Sequence, residues 1–173
     1  MVFDIFWMVI SYFADVQFWF GLAVATLIIY QIISKDNRKK ITWLLLALLP
    51  AVIISDQIVD GLKNYYKVPR PCAGQNGCPS DYSFPSGHAA AAASFATIVS
   101  LETRRKRFYI SVIPLSILIA LSRVFLNYHT LADIGVGFAI GIGVSLIVFE
   151  VYRDFVQKWL EGVAGRTIKK PTS

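Results

Sequence analysis

The chain has 173 residues, of which 55% are hydrophobic and 16% charged, and its formal net charge at pH 7 is +6. A soluble domain of this composition would leave extensive apolar surface exposed to water. The composition therefore excludes an ordinary soluble domain and predicts a membrane protein.

Apolar blocks long enough to cross the hydrocarbon layer, which takes about 20 residues per helix, recur along the chain. They predict transmembrane helices at residues 16–33, 41–58, 85–101, 108–125 and 131–151. Residues 1–15 are also apolar but contain Asp4 and several aromatic residues, which favours a helix lying in the membrane interface over a sixth crossing. No basic residue precedes this stretch, so we do not expect a cleaved signal peptide.

The expected fold class is all-α, an integral membrane helical bundle of about five transmembrane helices plus an N-terminal interfacial helix. It forms a single domain over residues 1–173, and residues 153–173 are a cytoplasmic tail. Cytoplasmic loops collect lysine and arginine, and thirteen of the seventeen basic residues lie in the loops and tail on one predicted side. We therefore expect the N-terminus outside, the C-terminus in the cytoplasm, and residues 59–84 and 127–130 on the outer face of the cell (inner) membrane.

The positive charge is interpreted as this topological signal and as contact with anionic headgroups, not as nucleic-acid binding. At the outer ends of the spans, however, ionisable residues from three separate segments gather at one depth. Both histidines, His88 and His129, lie there. A single histidine at a membrane boundary is more often a structural hydrogen-bonder, but ionisable groups from three segments favour a functional site.

The residue types at this level suit a phosphate group. Lys63, Arg70 and Arg123 would hold a dianion, and the arginines offer forked donors to phosphate oxygens. Ser86 and Gly87 open a predicted span, where backbone N–H groups and the helix dipole favour an anion. Glycine there permits close approach. Asp56 and Asp60 are interpreted as local partners for Lys63 or other polar groups of the outer face.

His129 and Asp133 are four residues apart at the start of a helix and therefore within reach of each other. A carboxylate that accepts from one imidazole nitrogen leaves the other free to attack phosphorus. We predict His129 as nucleophile, Asp133 as its orienting partner and His88 as general acid and then base. No metal or other cofactor is expected, because two histidines without nearby cysteines make a poor zinc site.

Three spaced motifs carry these residues: Lys63-x6-Arg70-Pro71, Pro85-Ser86-Gly87-His88 and Ser122-Arg123-x5-His129-x3-Asp133. Together they resemble the signature of the type 2 phosphatidic acid phosphatase superfamily, membrane lipid phosphatases related to soluble vanadium haloperoxidases. The resemblance implies the same roles, with catalysis through a phosphohistidine. It also implies inhibition by vanadate. The family usually shows six transmembrane helices, whereas five are predicted here.

A site between helices at headgroup level suits a lipid whose tail stays in the bilayer. By analogy with small prokaryotic relatives, the candidate substrates are phosphatidylglycerol phosphate, polyprenyl diphosphate and a lipid A phosphate. Two other classes stay open: a lipid-phosphate binding or transport protein without turnover, and a structural protein with a decayed site. The oriented pair of His129 and Asp133 favours an enzyme, because binding alone needs no oriented nucleophile. The sequence identifies no protein partner.

Two further features have alternative explanations. Cys72 and Cys78 lie in the predicted outer loop, where an oxidising compartment would allow a disulfide, and we favour this over a reduced pair. The small residues at 89–93, like Gly137 and Gly141, are explained by close helix packing. A slot for a lipid chain is the alternative for the alanine run.

Overall fold

The computed structural model describes Val9, residues 35–103 and residues 106–168. These ranges contain four helices and no strand: α1 (Lys35–Tyr66), α2 (Gly87–Thr103), α3 (Lys106–Phe125) and α4 (Leu131–Ile168). Each overlaps a predicted span, although α1 and α4 are longer than predicted, and the all-helical prediction is confirmed for these ranges. The predicted span at 16–33 and, apart from Val9, the interfacial segment lie outside the described residues.

Two of these helices contain an apolar stretch long enough to cross a bilayer, Leu44–Tyr66 in α1 and Leu131–Val156 in α4. The apolar stretch of α3, Tyr109–Phe125, is shorter. With 17 residues, α2 is about 25 Å long at 1.5 Å per residue. The predicted number of five crossings stays a prediction.

Helix α2 packs against all three other helices of the described ranges, whereas α3 and α4 share few contacts. The side chains that α2 buries near its N-terminus are all small: Ala89, Ala90, Ala92 and Ala93. A Cβ atom on Gly141 of α4 would lie 2.2 Å from the carbonyl oxygen of Ala90, and one on Gly137 would lie 2.5 Å from that of Ser86. Only glycine permits so close an approach, which confirms the close-packing explanation for these residues.

Buried serines link α2 to both α1 and α4 within this apolar interior. The hydroxyl oxygens of Ser55 in α1 and Ser94 in α2 lie 3.1 Å apart, and the Ser94 hydroxyl donates to the carbonyl oxygen of Gly141 at 3.3 Å. The Ser145 hydroxyl of α4 donates to the carbonyl oxygen of Ser94 at 3.5 Å. Side-chain hydrogen bonds between membrane helices contribute about 1 kcal/mol each. They fix the position of α2 along its neighbours.

We expect a methyl group at Gly141 to push α2 and α4 apart. Gly141→Ala should lower the free energy of unfolding by about 1–3 kcal/mol, because the new Cβ would meet backbone atoms that cannot rotate away. Apart from its chain neighbours and the backbone of its own helix, nothing lies within 4 Å of a Cβ on Gly143. Gly143→Ala is therefore the matched control and should be neutral or slightly stabilising. Unfolding in mixed micelles with increasing detergent denaturant, followed by circular dichroism, measures both. Equal stability of the two variants would contradict the tight interface.

Candidate active site

The loop between α1 and α2, residues 67–86, begins and ends at the same place. Lys67 has a φ of 50°, and its N–H donates to the carbonyl oxygen of Lys63 at 2.9 Å, which ends α1 with a left-handed residue. The N–H of Ser83 donates to the carbonyl oxygen of Val68 at 2.8 Å. The loop therefore returns to the end of α1 before α2 starts.

A disulfide between Cys72 and Cys78 closes the outer part of this loop, with Cα atoms 5.7 Å apart. It is the bridge that the sequence favoured. Gly74 and Gly77, inside the bridged segment, have φ values of 86° and 83°, which glycine adopts without steric cost. The result is a compact surface loop with its ends close together.

Helix α2 begins next to the start of α4. The Ser86 hydroxyl oxygen accepts the N–H of Ala89 at 3.4 Å and so caps α2. The N–H of Ser86 donates to the carbonyl oxygen of Asp133 at 3.0 Å. A Cβ on Gly87 would lie 3.6 Å from its nearest neighbour, Val59. Packing alone does not require glycine there, and its expected role in admitting phosphate stays a prediction.

A Schellman motif ends α3 and directs the chain to His129. Asn127, with a φ of 59°, donates its N–H to the carbonyl oxygen of Val124 at 2.9 Å, and Tyr128 donates to that of Arg123 at 3.0 Å. Asparagine tolerates this left-handed conformation better than most residues. The N–H of His129 donates to the Arg123 carbonyl as well, at 3.2 Å. The turn thus holds a predicted cation and the predicted nucleophile together.

The first turn of α4 fixes the side chain of Asp133. Its N–H donates to the Thr130 hydroxyl oxygen at 3.2 Å, and its Oδ2 accepts the N–H of Thr130 at 2.8 Å, a reciprocal cap. The same Oδ2 lies 3.5 Å from Nδ1 of His129 and accepts the hydroxyl of Ser83. One carboxylate oxygen therefore both caps the helix and orients the histidine.

The contacts of His129, which is only 2% exposed, define its tautomer. Nε2 lies 2.9 Å from Nη1 of Arg70. Arginine has donors only, so Nε2 is the acceptor and the neutral ring carries its proton on Nδ1. That N–H faces Asp133 Oδ2 and the Ser83 hydroxyl oxygen, each at 3.5 Å. This tautomer leaves the lone pair on Nε2, the atom that we predict to attack.

Burial lowers the pKa of His129, the charges of Arg70 and Arg123 lower it further, and Asp133 opposes them, which brings the pKa to about 4. The imidazole is therefore neutral at physiological pH. A neutral nucleophile is what attack on phosphorus requires, because the protonated ring has no lone pair to donate.

Arg70 is the centre of the polar network. It is 7% exposed, and besides His129 its Nη1 donates to the carbonyl oxygen of Tyr128 at 3.0 Å. Its Nε donates to the carbonyl oxygen of Asp81 at 3.0 Å and its Nη2 to Asp81 Oδ1 at 2.7 Å. Lys63, in the last turn of α1, forms an ion pair with Asp81 Oδ2 at 2.5 Å. Asp81 thus joins two of the predicted phosphate ligands.

The other predicted residues lie at the same end of the bundle. Arg123 is buried in the last turn of α3, with its guanidinium carbon 4.7 Å from the ring centroid of Tyr128. Such a contact holds a cation without neutralising its charge. His88, the second residue of α2, interacts electrostatically with His129 and with all three predicted phosphate-binding cations. The structure therefore brings together the three motif segments.

Sequence reasoning missed Ser83, Tyr128 and Thr130. Thr130 had a readable signal, because Thr-x-x-Asp before an apolar run is close to a capping box. Ser83 is fully buried but comes from an irregular loop, where periodicity gives no direction to a side chain. Tyr128 accepts through its main chain, and a backbone acceptor leaves no mark in the sequence.

Asp81 was missed for a different reason. Asp56 and Asp60 were interpreted as local partners for Lys63 or for other polar groups of the outer face, and Asp56 does interact electrostatically with Lys63. The salt bridge that Lys63 forms within the described ranges is instead with Asp81, 18 residues later. The position of Asp81 in an irregular loop did not indicate which cation it would pair with.

Comparison with known proteins places these residues in a family context. The model of the PAP2 superfamily matches residues 40–157. Phosphatidylglycerophosphatase B of Bacillus subtilis (strain 168) is 31% identical over 88 residues, which are 46% of this chain and 41% of that protein. Lipid A 4'-phosphatase of Porphyromonas gingivalis is 25% identical over 155 residues, which are 82% of this chain and 65% of that protein. The chain thus spans less than two thirds of the length of either relative.

Two crystal structures share the fold. Aquifex aeolicus LpxE matches with a TM-score of 0.68 and 25% identity over 86% of both chains. The transmembrane PAP2 type phosphatidylglycerolphosphate phosphatase from Bacillus subtilis matches with a TM-score of 0.65 and 23% identity over 90% of this chain and 77% of that one. These likenesses, together with the apolar helices, support a location in the membrane.

We expect His129 to titrate far below the range of an ordinary histidine. Nuclear magnetic resonance of the ¹⁵N-labelled protein in micelles, assigned with His129→Gln, should give a midpoint near pH 4. Arg70→Gln should raise that midpoint, because it removes a positive charge beside the ring.

Since the pKa of His129 in the unfolded chain is 6.5, the neutral ring contributes stability that is complete above pH 6.5 and is lost as the pH falls towards 4. A midpoint near 6.5 in the wild type would show that the ring is not held as described.

Proposed function

The chain belongs to the PAP2 superfamily, and from that premise we propose that it is a metal-independent membrane lipid phosphatase that uses His129 as its nucleophile. The observation that carries the proposal is the contact between Arg70 Nη1 and His129 Nε2 at 2.9 Å. It sets an unprotonated imidazole nitrogen beside a buried guanidinium. A phosphate oxygen bound by that guanidinium would bring phosphorus close to the nitrogen.

The reaction has two steps. Nε2 of His129 attacks phosphorus, the bond from phosphorus to the lipid oxygen breaks, and His88, starting as the imidazolium, gives a proton to that oxygen and becomes neutral. His88 then takes a proton from a water molecule, which attacks the phosphohistidine and releases inorganic phosphate. Asp133 and Ser83 hold the Nδ1 proton of His129 throughout and stabilise the positive charge that develops on the ring.

Charge on the transferred group is stabilised by residues already in place. Arg70 and Arg123 are buried at the same end of the bundle, and Lys63 is 13% exposed. Ser86 and Gly87 add the N-terminal end of α2, where backbone N–H groups point at an anion. Fixed donors in a site poor in water stabilise the transition state without having to reorganise.

A cavity in the apolar part of the bundle supports a lipid substrate. It has a volume of about 410 Å³ and lies between α2, α3 and α4, with Ala93, Ala96, Ile113, Ile117, Phe138 and Ile142 among its lining residues. Ala93 follows His88 by five residues, or about 7.5 Å along the helix. An apolar chain in this cavity would leave its headgroup at the level of the histidines. Of the alanine run 89–93 only Ala93 lines this cavity, so we propose the lipid slot for that end of the run alone.

The substrates that we propose first are phosphomonoester lipids, phosphatidylglycerol phosphate or a lipid A phosphate, since relatives are named for activity on these two classes. Polyprenyl diphosphate is the further candidate. We place the site on the outer face of the cell membrane, with the N-terminus outside and the C-terminus in the cytoplasm. The distribution of basic residues supports this orientation.

Phosphate release from a panel of these three lipids, measured with the purified protein and EDTA, tests the proposal. Wild-type protein and Gly143→Ala should release phosphate, and His129→Ala should lose at least about 10³-fold in kcat.

The same assay with a short-chain water-soluble substrate, in sealed right-side-out and inverted vesicles, tests the orientation. Lipid binding without release in any form would favour the alternative, a binding or transport protein.

Ser83→Ala should lower kcat by about 10- to 100-fold and change KM little, because the hydroxyl holds His129 and Asp133 rather than substrate. Ser80→Ala is the matched control, since Ser80 is an exposed serine of the same loop. In the titration described above, Ser83→Ala should also shift the midpoint of His129. A raised KM with unchanged kcat would show instead that Ser83 acts on binding.

A further inference from the structure

The carboxylate of Asp81 contacts Lys63 and Arg70, two of the cations that the proposed function assigns to phosphate binding. Its Oδ1 accepts from Arg70 Nη2 at 2.7 Å and its Oδ2 from Lys63 Nζ at 2.5 Å. Two oxygens of one anionic group therefore bridge two cations, as two oxygens of a phosphate would. A phosphate that accepts from the same two donors would replace this carboxylate.

The partners in this network differ in their exposure to water. The side chain of Asp81 is 50% exposed, whereas those of Lys63 and Arg70 are 13% and 5% exposed. Burial raises the pKa of Asp81, but hydrogen bonds from Lys63 and Arg70 outweigh it and lower the pKa to about 2. The carboxylate is therefore charged at any working pH. Half of its surface already faces water, whereas the two cations are buried.

The side chain of Asp81 can leave the two cations without a change in the backbone of the loop. Arg70 Nε donates to the backbone carbonyl oxygen of Asp81 at 3.0 Å, a contact that does not depend on the carboxylate. Ser83 holds the end of the loop against Val68. A cavity of about 350 Å³, lined by Gln75 and Ser80 among others, lies beside Asp81 and offers space for the displaced group.

We propose that Asp81 is an internal competitor for phosphate, which lowers the affinity of Lys63 and Arg70 for the product and so promotes its release. The proposal rests on the proposed function, since Asp81 competes only if these cations bind phosphate. Three cations around one inorganic phosphate would otherwise hold it tightly. Binding that stabilises substrate, product and transition state equally does not raise kcat. The apparent affinity for phosphate is then the intrinsic affinity multiplied by the fraction of molecules in which the competitor has left the cations.

The test is the dissociation constant of inorganic phosphate, measured by titration calorimetry on the purified protein with EDTA present. Asp81→Asn keeps the backbone carbonyl and the shape of the side chain but removes the charge, and should bind phosphate about three- to tenfold more tightly than wild type. Asp81→Ala should do the same. Asp60→Asn is the matched control, because it removes an equal charge from an exposed residue near the outer end of α1, and should change the constant less than twofold.

Arg70→Gln separates this inference from the proposed function. One outcome is that Arg70→Gln abolishes phosphate binding while both Asp81 variants bind phosphate as wild type does or more weakly. Asp81 would then orient the cations, and the inference would be overturned while the proposed function stands. If neither wild-type protein nor either Asp81 variant shows phosphate binding that Arg70→Gln removes, the inference is overturned, and the release assay with His129→Ala decides the proposed function separately. Tighter binding in Asp60→Asn, to the same extent as in Asp81→Asn, would reduce the effect to net charge and would also overturn it.

Discussion

The contact between α2 and α4 is the constraint on which the rest of the structure depends. The carbonyl oxygen of Ala90 occupies the space in which any side chain at Gly141 would begin, so the two backbones touch directly. This brings the N-termini of both helices to one place, where the N–H of Ser86 meets the carbonyl oxygen of Asp133. Two positive dipole ends then face the same point. An anion bound there is favoured before any cationic side chain is counted.

Helix termini supply the remaining order, because several residues of the site also end or start a helix. Asp133 caps α4 and orients His129 with the same oxygen. Arg123 provides the carbonyl that closes the Schellman motif after α3. In a membrane bundle the apolar helices are held by packing, whereas polar groups at their ends must satisfy one another. Placing the chemistry at helix ends lets one hydrogen-bond network serve both purposes.

The sequence predicted the positions of four helices and the three motif segments, and it could do so because apolar blocks and spaced motifs are local signals. It did not predict that α1 runs from Lys35 and α4 to Ile168, since hydropathy records membrane thickness and not where a polar helix stops. The roles of Asp81 and Ser83 were also out of reach. Both depend on how one irregular loop folds back on the end of α1, and no periodicity encodes that path.

The buried cations of the proposed phosphate site need a counter-charge even when no phosphate is bound. Arg70 is almost fully buried, and a buried cation without an anion is costly because it has lost its hydration. Asp81 provides this anion from the loop between α1 and α2 with a half-exposed carboxylate, while the carboxylate of Asp133 contacts the histidine. In the proposed reaction the two acids have different roles: Asp133 stays in place beside His129, and Asp81 alternates with phosphate on Lys63 and Arg70. In that proposal the exchange follows from the burial of the cations and not from the loop itself.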